Sequence, residues 1–545
     1  MGVIDVIPGM VLHRLSAIAV AMLLTATVGP GASAKPMAGP DAQPNQANQP
    51  SLQSPDRSRQ LPASPVPGPG IQLAGAPAAG SPATTDTSRT KQAAEADSET
   101  PEDAEFAAGS GCPLSHAINL GVTKALLRPP TNNPLDSFTY IAGIRCKEKG
   151  FLKQDTMIQS SIPLMKSLED KGLRLEFAFD PGLNWSTFGE PSFTAMYITS
   201  IDLYTEKTGG MWPNGQFHAT GAGWIGNSTN TGANNPFYFE NPAPLNNWRI
   251  FELWYEHKVS PKFAVRLGKI YPWVKFASHQ TSGIFQNMGF DFPGVYGSTT
   301  TTGNFLPYAS TPLGIQLSYN PNRHHQILFH VMDGQEDPSG GSNLSLADLT
   351  INNKEGAEIL AEYAYLDHSK DPNQLPGYYK IGFQGNTGEF LNFRTGVIER
   401  GNYGGYITLE KMLYAEPGTA IPRSQGLLGF MNFSGVAGEN SVVNLAGSAG
   451  LTYAGLFPGR DQDMAGIGVA VTQFNPAAAN YYAALMNSTA SSTETVLEAV
   501  YLAQLTPWMM LTGSYQYIIN PSAMGSASPW RPSGHVLLLG ARLSL

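Results

Sequence analysis

Glu252, Trp254, Glu256 and, further on, Arg266 are the residues whose types and spacing hold the most chemistry in this 545-residue chain. If the segment around them is a strand, alternate positions share a face, so Glu252, Trp254 and Glu256 point the same way. A short Val259-Ser260-Pro261-Lys262 turn would fold the chain back and bring Arg266 beside Trp254 or Glu256. A pair of carboxylates is what acid–base cleavage of a glycosidic bond requires. Positions four apart on one strand face, however, lie about 13 to 14 Å apart, too far for either glycosidase geometry. Two readings remain for the cluster: hydrogen-bonding groups lining a path for a polar solute, or a Glu256–Arg266 ion pair that only stiffens a wall. Arg174, Glu176, Glu358, Glu362 and Arg542 sit on the charged side of similar alternations and read as generic polar lining.

Other chemistry is sparse. There is no Gly-x-Ser-x-Gly elbow, no HExxH and no phosphate loop. Gly221-Ala-Gly-Trp-Ile-Gly226 fits GxGxxG formally, but it runs into an Asn/Thr-rich stretch where a dinucleotide site needs a helix, so it reads as loop. His324 and His325, beside Arg323, read as a solvated turn. Cys112 and Cys146 lack metal-type spacing; they could close one disulfide, worth roughly 3 to 4 kcal/mol on the chain-entropy model, or stand as two thiols. No catalytic residue, metal or cofactor is expected.

The elements that must position these residues are strands. Leu173, Leu175, Phe177 and Phe179 alternate with Arg174, Glu176, Ala178 and Asp180. The same contrast returns in Phe251, Leu253 and Tyr255 against Glu252, Trp254 and Glu256, and in Phe263, Val265 and Leu267 against Ala264, Arg266 and Gly268. It recurs in Ile359, Ala361, Tyr363 and Tyr365 against Glu358 and Glu362, and in Tyr515, Tyr517 and Ile519 against Ser514 and Gln516. The chain ends on Leu537, Leu539, Ala541, Leu543 and Leu545, with Gly540, Arg542 and Ser544 opposite. A soluble sandwich also alternates. Brief turns interleaved with long Gly/Asn/Ser/Thr-rich stretches, such as Gly226 to Asn235 and Gly297 to Gly303, favour a transmembrane antiparallel β-barrel, all-β, of about 16 strands and within 14 to 18. Ahead of it, Ile158, Ile162, Met165 and Leu168 recur at helical spacing, interrupted by Pro163, which predicts a short or kinked helix.

Composition agrees. Charged residues make up 14% of the chain, while Gly 58, Tyr 22, Phe 25 and Trp 8 are generous, a balance that suits a lipid-facing surface better than an ordinary soluble one. No apolar run of about 18 residues occurs, so spanning helices are excluded. A net charge of -9 without any Lys/Arg cluster argues against nucleic acid as a partner. His13 and Arg14 precede the apolar run Leu15 to Val28 and the small-x-small Ala32-Ser33-Ala34, which reads as an export signal over residues 1–34. Residues 35–110 are rich in Pro, Ala and Gln and carry too little apolar surface to fold, so they read as a disordered linker. The domain boundaries expected are therefore signal peptide 1–34, linker 35–110, pre-barrel segment 111–171 and barrel 172–545.

Several stretches resemble the carbohydrate-selective porin family of OprB type. They are Arg249-Ile-Phe-Glu-Leu-Trp-Tyr-Glu256 with Phe263-Ala-Val-Arg-Leu-Gly268, then Glu355-Gly-Ala-Glu-Ile-Leu-Ala-Glu362, Leu375-Pro-Gly-Tyr-Tyr-Lys-Ile-Gly382 and Gly401-Asn-Tyr-Gly-Gly-Tyr406. Phe457-Pro-Gly-Arg-Asp-Gln-Asp463, Thr493-Glu-Thr-Val-Leu-Glu498 and Gln516-Tyr-Ile-Ile-Asn-Pro521 follow in the family's order. Two departures stand out: Ser161-Ile-Pro-Leu-Met-Lys166 replaces a Gly-Trp-Gly-Gly-like element, and the chain ends in Leu545 where such barrels prefer an aromatic. The resemblance implies passive, sugar-favouring diffusion across the outer membrane of a Gram-negative bacterium. It implies small sugars such as glucose as solutes, outer-membrane lipid as surroundings, no cofactor, and a monomer or trimer. A sugar offers hydroxyl edges to carboxylates and guanidinium and an apolar ring face to aromatics, so Glu252, Trp254, Glu256 and Arg266 are the expected constriction. A barrel-embedded lipase or protease, and a general non-selective porin that passes ions, are the competing readings.

Overall fold

The computed structural model describes Met157 and residues 162–208, 213–226, 247–272, 275–277, 281–290, 313–322, 324–334, 356–367, 375–418, 425–486, 492–521 and 533–544, all within the compact unit Ser98–Leu545. The expected signal peptide, the linker, Cys112, Cys146 and Ile158 lie outside the described residues.

Sixteen strands close on themselves. In chain order they are β1 Leu173–Ser186, β2 Gly189–Tyr204, β3 Gly215–Gly226, β4 Asn247–Ser260, β5 Phe263–Lys269, β6 Leu313–Asn322, β7 His325–Asp333 and β8 Ala357–Asp367. They continue as β9 Gly377–Leu391, β10 Ile398–Ala415, β11 Gly426–Ala437, β12 Val443–Ala454, β13 Met464–Phe474, β14 Thr493–Thr506, β15 Met509–Ile519 and β16 Gly534–Ser544. Each pairs with its chain neighbours, and β1 pairs antiparallel with β16 through Phe179↔Leu543 and Leu183↔Leu539. Closure satisfies every ladder without leaving an edge, the requirement for strands in a bilayer. A barrel of this size encloses an aqueous lumen.

Connections separate by end. The turns joining Ser260 to Phe263, Asn322 to His325 and Thr506 to Met509 are brief and lie at one end, with the start of β1 and the close of β16. The long connections, from β3 to β4, β5 to β6, β7 to β8, β13 to β14 and β15 to β16, all lie at the other. In outer-membrane barrels the short turns are periplasmic and the long loops external, which fixes the orientation used below.

Alternation sorts the two faces. Ile381, Phe433, Ile467 and Leu539 stand outward and exposed, at 56%, 52%, 62% and 48%, among many Leu, Ile and Phe of the same parity. An apolar band of that extent far exceeds what a soluble monomer shows. On the same outward surface Tyr255, Tyr363 and Tyr515 each hydrogen-bond a histidine ring, of His257, His325 and His535; such amphipathic rings suit the headgroup level. Inward positions carry Glu176, Asp180, Glu252, Glu256, Arg266, Glu358, Glu362 and Gln516.

Three expectations need correction. Phe251 does not face lipid: Thr220 pairs with Glu252 and Gly221 with Ile250, so Phe251 is the extra residue of a bulge and turns inward at 5% exposure. A bulge inserts one residue and shifts the side-chain phase locally. Gly221 to Gly226 is strand β3, not loop; at Gly223 an added Cβ would sit 1.9 Å from Tyr197 Cζ, so the glycines make room for outward rings lying across them. Pro163 does not interrupt a helix but begins one, α1 Pro163–Asp170. Its fixed φ and missing N–H cost nothing in a first turn.

Candidate functional site

Strand β5 stops early, and the chain after Lys269 turns into the lumen. Ile270 is wholly buried, and so are Phe276, Thr281, Ile284, Phe285, Asn287 and Phe290 along the described parts of 270–290. Backbone N–H groups in such a segment have no ladder and must find acceptors. The wall supplies carboxylates: Tyr271 N donates to Glu252 Oε1 at 3.0 Å, Ala277 N to Glu362 Oε2 at 2.6 Å and Thr281 N to Glu410 Oε1 at 2.6 Å. Gln286 N and Asn287 N donate to the two oxygens of Glu498 at 2.7 and 3.0 Å, and Asn287 Nδ2 donates to Gln516 Oε1 at 3.1 Å. These anchors come from β4, β8, β10, β14 and β15, so the segment crosses from one side of the lumen to the other. Charge-assisted bonds of this kind are roughly twice as strong as neutral ones.

The far half of the segment docks through apolar contact. Phe285 and Phe290 stack at 4.5 Å and meet Phe430 at 5.5 and 6.4 Å. Beneath them the wall is glycine: a Cβ on Gly466 would lie 2.7 Å from Ile284 Cδ1, and one on Gly468 2.7 Å from Phe290 Cε1. The segment therefore rests directly on the backbone of β13.

Glu252, Trp254, Glu256 and Arg266 are brought together on the inward face. Glu256 and Arg266 are register partners; Arg266 Nε donates to Glu256 Oε2 at 2.7 Å, and Arg266 Nη2 lies 2.6 Å from the same oxygen. The guanidinium carbon sits 3.8 Å above the Trp254 ring, which on its other contact stacks with His218 at 4.6 Å. Trp254 Nε1 donates to Glu252 Oε1 at 3.2 Å, and Lys275 Nζ, from the inserted segment, donates to Glu256 Oε2 at 3.2 Å. All four are 3% exposed or less. They lie beneath the segment, not on its open side.

Next to them His218 bridges Asp202 through Nδ1 at 2.7 Å and Thr220 Oγ1 through Nε2 at 2.6 Å. The order carboxylate, imidazole, hydroxyl is that of a hydrolytic triad. Thr220, however, is 1% exposed and shares its hydroxyl with Ser200 at 3.2 Å, so no acyl group can approach it. The remaining expected residues are spread around the wall: Arg174 pairs with Glu176, Arg542 with Asp180 through two bonds of 3.0 and 2.8 Å, and Lys380 approaches Glu362 at 3.5 Å. Glu358 is buried on β8.

Sequence reasoning missed the inserted segment, Glu410, Glu498 and the Asp202–His218 pair. The segment had a signal: Ile270, Tyr271, Phe276, Ile284, Phe285 and Phe290 are too many large apolar residues for a solvated connection. The carboxylates had none, since an inward Glu looks alike in sequence whatever it meets.

The profile described as "Carbohydrate-selective porin, OprB family" matches residues 196–544, well over half of the chain. The chain belongs to the carbohydrate-selective porin, OprB family. The match begins inside β2 and runs to the end of β16, and it makes the protein a sugar-favouring porin, a channel. Family and barrel together indicate an outer-membrane protein of a Gram-negative bacterium. Among solved structures, Pseudomonas putida OprB at high pH aligns with a TM-score of 0.63 at 18% identity, covering 73% of this chain and 100% of its own, which supports the fold. The same protein at low pH gives 0.44 at 16% identity, covering 72% and 99%. A triple mutant of the Rhodopseudomonas blastica porin gives 0.39 at 11%, covering 68% and 100%. No curated protein matches the chain.

Proposed function

We propose that this porin admits small neutral sugars through a constriction whose inner boundary is formed by the described residues of the inserted segment, 270–272, 275–277 and 281–290, with Glu252, Trp254, Glu256 and Arg266 acting as its supports. The observation that carries this reading is the row of wall carboxylates spent on the segment's N–H groups. Pore selectivity depends on diameter and on the groups that line the narrow part. Here many of the wall charges are paired, Arg266 and Lys275 with Glu256, Arg542 with Asp180 and Lys411 with Asp367, while Glu252, Glu410 and Glu498 are turned to backbone N–H groups of the segment. Paired charges set up little net field for ions, while their dipoles and the hydroxyl and amide groups of the wall still replace water around a polyol. Outer-membrane lipid is the solvent for the outward apolar band. Small ions pass with the water.

The test is single-channel conductance of the reconstituted protein, titrated with glucose and with glycerol as control. Stepwise channels closed in a concentration-dependent way by glucose but not glycerol are expected. Channels indifferent to glucose would turn the reading into that of a general porin.

A further inference from the structure

Helix α2, Pro476–Met486, lies in the connection from β13 to β14, at the end of the barrel that carries the long connections. Its Ala478 and Ala479 are buried together with Val442, Val443, Ala446 and Phe474. Ala446 and Phe474 have inward parity, since Leu445 and Val471 beside them are the exposed, lipid-facing positions. The helix is therefore packed against the inner rim of the external mouth.

That packing presents a set of aromatic rings. Phe393, from the connection between β9 and β10, meets Tyr481 at 5.5 Å and Tyr482 at 5.7 Å, and the two tyrosines meet edge to face at 5.5 Å. All three are only partly buried. Burial, and then the neighbouring Tyr481, push the Tyr482 phenol above its ordinary range; like any phenol it is an O–H donor at neutral pH. The helix itself carries no charged residue, and Arg394 close by is closed on Glu439. Half-exposed aromatic rings and phenol hydroxyls on a helix without charged residues are what the apolar face and hydroxyl rim of a neutral sugar match.

We propose that Phe393, Tyr481 and Tyr482 form an external docking ledge for a sugar ring, a second binding site above the constriction that captures solute before it enters. This rests on the sugar-porin reading of the preceding section. Among the described residues the ledge stands at the external mouth, so capture from the two sides of the membrane should differ.

The experiment is current-fluctuation analysis of glucose block, with glucose added in turn to each side of a planar bilayer. The wild type should show unequal association rates from the two sides. Tyr481→Ala with Phe393→Leu should lower the faster rate about fivefold, bring it near the slower one, and leave the sugar-free conductance unchanged. Tyr481→Trp should retain the asymmetry, which separates loss of a ring face from loss of packing; Phe393→Leu alone keeps apolar volume and should give an intermediate rate. Wild-type rates retained from both sides in the double variant would overturn the ledge while leaving the porin reading intact. A wild-type channel that glucose does not block at all would overturn both.

Discussion

Arg266 is 2% exposed and its charge is answered from two directions, by Glu256 at 2.6 Å and by the face of Trp254 at 3.8 Å. Lys275 leans on the same carboxylate. Removing one partner of a buried pair leaves the other uncompensated and costs about 3 to 5 kcal/mol, whereas replacing both by apolar residues of similar size is close to neutral. Arg266→Ala should accordingly lower the barrel's stability by about 3 kcal/mol, with Lys275 holding part of the charge. Glu256→Leu combined with Arg266→Met should lose clearly less, and urea unfolding in detergent micelles would measure both. A double variant that loses as much as the sum of the two single ones would remove the argument that the pair is a mutual support.

At the scale of elements the unit to consider is the inserted segment, held by carboxylates at one set of points and by a greasy contact at another. The two attachments are separable. Glu498→Gln keeps the shape but weakens the bonds to Gln286 N and Asn287 N. Gly468→Val drives a side chain into Phe290 and lifts the apolar half off β13. Both should loosen the segment and raise open-channel current noise, and Gly468→Val should do so more strongly because it overpacks the two stacked, buried rings of Phe285 and Phe290, which have little room to move. Single-channel recordings at constant voltage test this; wild-type noise in both variants would mean that the segment is held chiefly elsewhere.

For the molecule as a whole, the β1–β16 pairing makes unfolding an all-around event, since no strand can leave without breaking two ladders. Unboiled protein in dodecyl sulfate should stay folded and migrate faster than the boiled chain, with β-rich circular dichroism lost only on boiling. Identical migration before and after heating would contradict a closed barrel. The outward apolar band gives the companion expectation that the folded protein leaves the membrane only with detergent.

The barrel was legible in the sequence because strand side chains alternate with a period of two, and a lipid outside with water inside writes that period as apolar against polar. Leu253 against Glu252, Leu267 against Arg266 and Leu539 against Arg542 needed no coordinates, and one short turn at Pro261 brought Arg266 beside Trp254 or Glu256, of which the strand register makes Glu256 the partner. Phe251 escaped because a bulge adds a single residue, and nothing in the local pattern marks where the phase slips. The family resemblance supplied the solute class, which periodicity alone does not contain. What only the tertiary structure decided is where the connections go: the described residues after Lys269, 270–272, 275–277 and 281–290, lie in the lumen because β5 ends early and carboxylates far apart in the chain, Glu252, Glu362, Glu410 and Glu498, converge on their N–H groups. Such convergence is a property of closure, which brings strands distant in sequence around one lumen, and no local stretch of sequence encodes it.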